Sequence, residues 1–218
     1  MKENLYGVIL IIHILGGFSA FFSAFIAIFS KILNISHQWH IYSGRIFYYG
    51  MLIVFLTSLI LTSIKPNLFL ALVAIFSFYM TYSGWRMALN RKGIPTKSDY
   101  IKAWLMLMVS IVMLLTAGAF IFQSINSGQG IVIAVFGAIG LGLSLGDLRR
   151  LKLGSVTGKD RISAHLGMMM GATIAAITAF LVTNFQLNPP WLLWILPAAI
   201  ISPIISLMNR KLYKGKYF

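Results

Sequence analysis

Seven apolar stretches of roughly twenty residues each constrain the fold of this sequence more than any other feature. Only 10% of the residues are charged and 59% are hydrophobic, with a mean hydropathy of +0.86. A soluble domain carries roughly a quarter charged residues, so a chain this apolar cannot cover a globule with polar groups. A lipid bilayer is a suitable solvent for such a chain. Within the bilayer, every backbone N–H and C=O group must be hydrogen-bonded inside helices or a closed barrel. The stretches do not alternate with period two, so we predict an all-α integral membrane protein.

We predict seven transmembrane helices that form a single polytopic domain over residues 1–218. Each apolar stretch approaches the roughly 20 residues that cross about 30 Å of hydrocarbon. The predicted spans cover residues 5–30, 41–64, 66–89, 100–123, 130–148, 162–185 and 190–208. No connecting segment is long enough to hold a soluble domain.

The basic residues are distributed unevenly over the two predicted membrane faces. Of the eighteen Lys and Arg residues, only Lys2 and Lys65 fall on one face, and the other sixteen fall on the opposite face. The positive-inside rule therefore predicts an external N-terminus and a cytoplasmic C-terminus for a multi-pass protein of the inner cell membrane. The net charge of +14 is explained by anionic lipid headgroups at the cytoplasmic face, so we expect the bilayer as partner and no nucleic acid.

Small residues recur at intervals of four in two of the predicted spans and form a similar stripe in a third. They occupy residues 130–146 of the fifth span, 163–179 of the sixth and 16–27 of the first. In lipid, small residues let helix backbones approach closely. We therefore expect the fifth and sixth spans to pack together along these ladders, and such stripes also suit a helix-packing partner or a homo-oligomer.

One histidine, His13, lies in the outer half of the first span. It precedes Gly16 and Gly17 by three and four residues, so it faces neighbouring helices rather than lipid. An ionisable group within a span is costly and is a functional hypothesis by default. His13 is therefore interpreted either as a neutral imidazole bonded to a neighbouring helix or as part of a cavity in a small-solute carrier or channel.

The other three histidines fall on the predicted cytoplasmic side. His37 and His40 precede the second span and share one face if the helix extends back to them, whereas His165 lies one turn inside the sixth span. His13 is about 27 Å from the inner end of its span, so it cannot share a metal with these three.

Two kinds of cofactor fit this histidine group. A zinc shell takes nitrogen and carboxylate ligands, and the residues that would supply them are His37, His40, His165 and Asp147. Alternatively, His40 and His165 would be the axial ligands of a b-type haem, with Arg45 or Arg161 at its propionates. The third interpretation is that His37 and His40 form only the hydrated, basic end of a helix.

Several classes of activity are excluded by the sequence. It contains no cysteine, which removes disulfides, thiolate metal sites and cysteine catalysis. No P-loop, nucleophile elbow or HExxH motif appears. No lysine lies in the middle of a span, which excludes a retinal Schiff base. The remaining hypotheses are a cofactor protein, a small-solute carrier or channel, and a non-catalytic membrane assembly subunit.

Three segments of the sequence resemble a known family. Residues 40–45 read H-x-x-x-G-R, residues 79–93 combine an aromatic helix end with a basic loop, and residues 165–184 begin H-x-x-x-M. Together they resemble the DUF2306 family of predicted bacterial membrane proteins, over about the first four spans and the sixth. The sequence departs from that family at residues 99–104, where such proteins tend to have a further histidine before a tryptophan. The resemblance implies a multi-pass helical fold and no particular activity.

Overall fold

The computed structural model describes residues 2–123 and 128–215, and within these ranges the chain forms seven α-helices and no strand. The helices are α1 Lys2–Ile32, α2 His37–Ile64, α3 Leu68–Leu89, α4 Lys97–Gln123, α5 Gly128–Leu153, α6 Gly158–Asn184 and α7 Leu192–Tyr213. All seven are long and apolar enough to cross a membrane. The shortest has 22 residues, which is roughly 33 Å of helix against about 30 Å of hydrocarbon. The predicted multi-pass helical architecture is confirmed.

Several helices continue beyond the apolar stretches that predict them. α4 begins at Lys97 rather than at residue 100, α5 ends at Leu153 rather than at 148, and α7 ends at Tyr213 rather than at 208. The hydropathy of the sequence identifies only the part of a helix that is apolar enough to lie in the hydrocarbon. The backbone continues in helical geometry into the interface, where polar side chains are tolerated and the hydrogen bonds are still made within the helix.

The chain divides into two compact units, Met1–Thr81 and Tyr82–Phe218. In the first unit, α1 and α2 pack antiparallel with their backbones in contact. A Cβ atom added to Gly50 would lie 2.9 Å from the carbonyl oxygen of Gly16 and 3.0 Å from the amide nitrogen of Ala20. The small residues of the first span therefore lie at a helix–helix contact, which agrees with their predicted packing role.

In the second unit, α4 and α5 pack antiparallel along a seam whose residues are spaced alternately by three and four. The buried residues with this spacing are Asp99, Ala103, Met106, Ser110, Met113 and Ala117 on α4, and Gly130, Ile133, Gly137, Gly140, Ser144 and Asp147 on α5, where Val132 and Phe136 are buried as well. This spacing averages 3.5 residues and keeps one narrow face of each helix turned towards its neighbour, as in coiled coils. Gly137 lies against Met113, where an added Cβ would be 3.1 Å from the methionine side chain.

At several positions the small-residue ladders of α5 and α6 make no close helix contact, so the predicted packing of α5 on α6 along them gains no support there. A Cβ added to Gly142 or to Gly167 would find nothing within 4 Å, and Ala138 and Ala179 are exposed. Steps of four residues advance by 400° on an ideal helix, so a five-member ladder drifts by about 160° around it. Such a ladder cannot remain on one contact face, whereas the three–four alternation can.

Candidate functional site

The His13 imidazole bonds to a hydroxyl on the neighbouring helix within the first unit. Its Nδ1 lies 2.9 Å from Thr57 Oγ1. The Thr57 hydroxyl donates its own hydrogen to the carbonyl of Ile53, at 2.6 Å. A hydroxyl has one hydrogen, so Thr57 accepts the bond from His13 and the histidine proton lies on Nδ1.

His40 and His165 each bond to a backbone carbonyl within their own unit. His40 Nδ1 lies 2.9 Å from the carbonyl oxygen of Ala27, and His165 Nδ1 lies 2.8 Å from that of Gly84. A carbonyl only accepts, so Nδ1 carries the proton in both histidines, and in the neutral form the lone pair is on Nε2. His37 lies beside His40 on α2, with ring centroids 6.5 Å apart.

The predicted zinc shell gains no support from the structure. Within residues 2–123 and 128–215, no three His, Asp or Glu side chains come together in a group that could hold a metal ion. Arg45, predicted to meet haem propionates, is exposed. His40 belongs to the first unit and His165 to the second, and their pairing on one haem stays a prediction.

Asp147, predicted as a metal ligand, instead lies at the centre of an ion-pair network in the second unit. Its side chain is 2% exposed and that of Lys102 is 9% exposed, and Asp147 Oδ2 accepts from Lys102 Nζ at 2.7 Å. The same ammonium donates to Ser83 Oγ at 2.9 Å. Asp147 Oδ1 accepts from Arg150 Nη1 at 3.0 Å. This network connects α3, α4 and α5.

A second carboxylate, Asp99, joins α3 to the start of α4. Arg86 Nε and Nη2 donate to its two oxygens at 3.2 and 2.9 Å, in the bidentate geometry that favours a planar guanidinium. The Thr96 amide and hydroxyl donate to Asp99 Oδ2 at 2.9 and 2.7 Å. The carboxylate-to-amide bond of this Thr-x-x-Asp sequence resembles half of a capping box, so Asp99 also stabilises the N-terminus of α4.

The loops around this network are fixed by contacts between helix ends. Arg161 Nη1 donates to the carbonyls of Met87 and Ala88 at 2.7 and 3.2 Å, which satisfies carbonyls that the end of α3 leaves without helical partners. The Gly93 carbonyl accepts from the Val156 amide at 3.2 Å. Gly93 has φ +68°, and a Cβ there would collide with the Val156 carbonyl, so this position requires glycine.

These groups enclose a small cavity that we call the charged cleft, defined by Arg86, Asp99, Lys102, Asp147 and Arg150. Its volume is about 20 Å³, which is room for roughly one water molecule. Three cations and two carboxylates surround it, so its walls carry an excess of one positive charge. Electrostatic interactions in the cleft are strong, because neighbouring helices exclude water and lower the local dielectric constant.

The spacing of opposite charges along the sequence indicates this cleft, whereas the identities of the single residues do not. Asp99 and Asp147 are each followed three residues later by a cation, Lys102 and Arg150. That spacing places both members on one helix face. The chain has only four acidic residues, so two such pairs at the ends of sequence-adjacent spans were more informative than the histidines.

No protein-family model, curated protein or solved structure matches the chain. The resemblance to the DUF2306 family therefore stays a prediction.

Proposed function

We propose that this is a multi-pass protein of the inner membrane, with its N-terminus outside and its C-terminus in the cytoplasm. In this proposal it is a small-solute carrier that takes a small anion into the charged cleft from the cytoplasmic side. The asymmetry of basic residues supports the orientation. The observation that carries the functional part is the buried Lys102–Asp147 pair beside a cavity with an excess positive charge.

The cost of this ion pair favours a functional site over a purely structural one. Desolvating two charges costs several kcal/mol per ion, and apolar residues of similar volume often stabilise a protein equally well. Ionisable residues within membrane-spanning helices are rare and mark solute or ion pathways by default. Lys102 and Asp147 lie in such helices, α4 and α5.

The size and charge of the cleft indicate the class of solute. A volume of about 20 Å³ accepts a single water-sized group, since drug-sized ligands need roughly 300 Å³ or more. The net charge favours an anion over a cation. Chloride, or one oxygen of a small carboxylate, satisfies both conditions, and a haem does not fit this cleft.

Anion binding is measured as a change in thermal stability of the purified protein in detergent. At matched ionic strength, chloride is expected to raise the unfolding temperature relative to the bulky anion gluconate. A chloride concentration ten times Kd stabilises by about 1.4 kcal/mol, which is about 4 °C for a chain of this length. Lys102→Met is expected to abolish the chloride effect, because it removes the buried cation of the cleft.

The matched control is Lys97→Met, which removes an exposed lysine from the first turn of the same helix. This variant is expected to keep the full chloride effect. Equal loss in both variants would indicate general charge screening and would contradict the proposal. The absence of any chloride effect in the wild type would contradict it as well.

The cofactor hypothesis is a second candidate, and one observation favours it. Histidines that ligate metals donate their other ring N–H to a carbonyl or carboxylate, and both His40 and His165 donate Nδ1–H to backbone carbonyls. If His40 and His165 hold a haem, the purified protein is expected to show a Soret absorption band, which His40→Ala and His165→Ala would each remove. A colourless, folded protein that remains colourless when haem is supplied during expression would rule this candidate out.

A further inference from the structure

An open groove lies next to the charged cleft, at the end of α3 and along the loop that follows it. We call it the basic groove, defined by Arg86, Leu89, Arg91, Lys92 and Ile94. Its volume is about 480 Å³, within the roughly 300–1,000 Å³ of small-molecule sites. The groove is therefore large enough for a whole polar headgroup, unlike the charged cleft.

The lining of the groove is strongly biased in charge. Three of its residues are cationic and none of them is acidic. Arg86 already binds Asp99 through two hydrogen bonds, which leaves Arg91 and Lys92 to supply the positive potential. Both are exposed, so an anionic group can reach them from the membrane surface.

Apolar side chains flank the two cations. Leu89 is 58% exposed and Ile94 is 57% exposed, one on each side of Arg91 and Lys92 in the sequence. A soluble anion gains nothing from such neighbours. A ligand with a charged head and an apolar tail makes favourable contact with both kinds of side chain, because apolar area is removed from water while the phosphate meets the cations.

Two hydrogen bonds brace the loop that carries the cations. Asn90 Nδ2 donates to the Ile94 carbonyl at 2.8 Å across the loop. The Gly93 carbonyl accepts from the amide of Val156 on another loop of the same unit. A preformed site avoids much of the entropy cost of ordering a loop on binding.

We infer that the basic groove binds the phosphate of an anionic phospholipid, with Arg91 and Lys92 on the phosphate and the acyl chains against Leu89 and Ile94. This site shares Arg86 with the charged cleft, but it does not depend on anion binding there. It depends on the membrane placement of α3 and α4, both of which are long and apolar enough to span.

The experiment uses the full-length protein in nanodiscs that contain phosphatidylglycerol and phosphatidylcholine. Native mass spectrometry measures which lipid remains bound after mild delipidation. The wild type is expected to retain phosphatidylglycerol preferentially. In the double variant Arg91→Gln/Lys92→Gln, the preference for phosphatidylglycerol is expected to fall about 30-fold, because each cation near a membrane surface strengthens binding of an anionic lipid about fivefold.

The matched control is Arg210→Gln/Lys211→Gln, which removes two cations from the last turn of α7. This control is expected to keep the wild-type preference. Equal loss in both double variants would mean that overall basic charge attracts the lipid, and it would overturn the specific site. Retention of the preference in Arg91→Gln/Lys92→Gln would overturn it too.

A competition arm separates a lipid headgroup from a free phosphate compound. Soluble glycerol 3-phosphate, added in large excess over the lipid, is expected to leave phosphatidylglycerol bound, because it has no chains to contact Leu89 and Ile94. Displacement of the lipid by this excess of glycerol 3-phosphate would show that the groove recognises a soluble phosphate ester, and it would overturn the lipid assignment.

Discussion

The variant Asp147→Leu is expected to lower the free energy of unfolding by about 3–5 kcal/mol, the usual cost of breaking a buried ion pair from one side. The substitution leaves the Lys102 ammonium, 9% exposed, buried without its carboxylate partner. Ser83 still accepts one hydrogen bond from it, but a hydroxyl cannot neutralise the charge. Unfolding by sodium dodecyl sulfate in mixed micelles, followed by circular dichroism, measures the loss.

The double variant Lys102→Met/Asp147→Leu identifies the cause of that loss. Removing both charges leaves no buried ion without a partner, since Arg150 is 34% exposed and reaches water, so the stability of the double variant is expected to lie within about 1 kcal/mol of the wild type. Arg150→Gln serves as a second control, because Arg150 is 34% exposed and its bond to Asp147 is worth under about 1 kcal/mol. If the single and double variants are equally unstable, the loss comes from packing and the buried-pair account is wrong.

The second large effect is expected for Gly50→Ala, with a loss of about 2 kcal/mol from overpacking. The new methyl group would lie 2.8 Å from Ser19 Oγ, 2.9 Å from the Gly16 carbonyl oxygen and 3.0 Å from the Ala20 amide nitrogen. Two of these atoms belong to the backbone of α1 and cannot rotate away. The helices α1 and α2 must therefore separate, which weakens their contact along its whole length.

Gly44→Ala is the control on the same helix. A Cβ at Gly44 meets nothing within 4 Å, so the substitution is expected to be neutral or to stabilise α2 by up to about 1 kcal/mol through helix propensity. The same unfolding titration compares the two variants. A loss at Gly44 equal to that at Gly50 would mean that the close contact does not set the stability of the hairpin.

The helices could be predicted from sequence because the bilayer imposes their length and apolar character. Their ends were less predictable. Asp99 lies within α4 although it is charged, since Thr96 and Arg86 satisfy both of its oxygens. A hydropathy profile places the end of a span at such a charged residue, whereas its hydrogen bonds allow it to lie inside the helix.

The site was harder to predict than the fold, for a physical reason. Histidines attract attention because they ligate metals, yet the described parts of the chain contain no metal group of three such side chains. The ion pair between Lys102 and Asp147 joins residues 45 apart in sequence, and only the antiparallel register of α4 on α5 brings them together. Within each helix, the three-residue spacing of opposite charges was the local trace of that arrangement.

The small-residue ladders show that helix packing is also only partly predictable from the sequence. The stripe in α1 does lie at a contact, where Gly16 meets Gly50. The ladder in α5 leaves the contact face after Gly130, because α5 packs on α4 through the face that includes Gly137 and Asp147. A high content of small residues indicates that another helix can approach closely. The face on which it does so depends on the partner helix.

The anion site of the charged cleft is tested most directly by anomalous scattering from a crystal of the protein soaked in bromide. Bromide replaces chloride and its position is read from the anomalous difference map. We expect a peak within hydrogen-bonding distance of Lys102 Nζ, among Arg86, Arg150 and the two carboxylates. Bromide peaks confined to exposed loop cations such as Arg91 and Lys92, with none in the charged cleft, would contradict it.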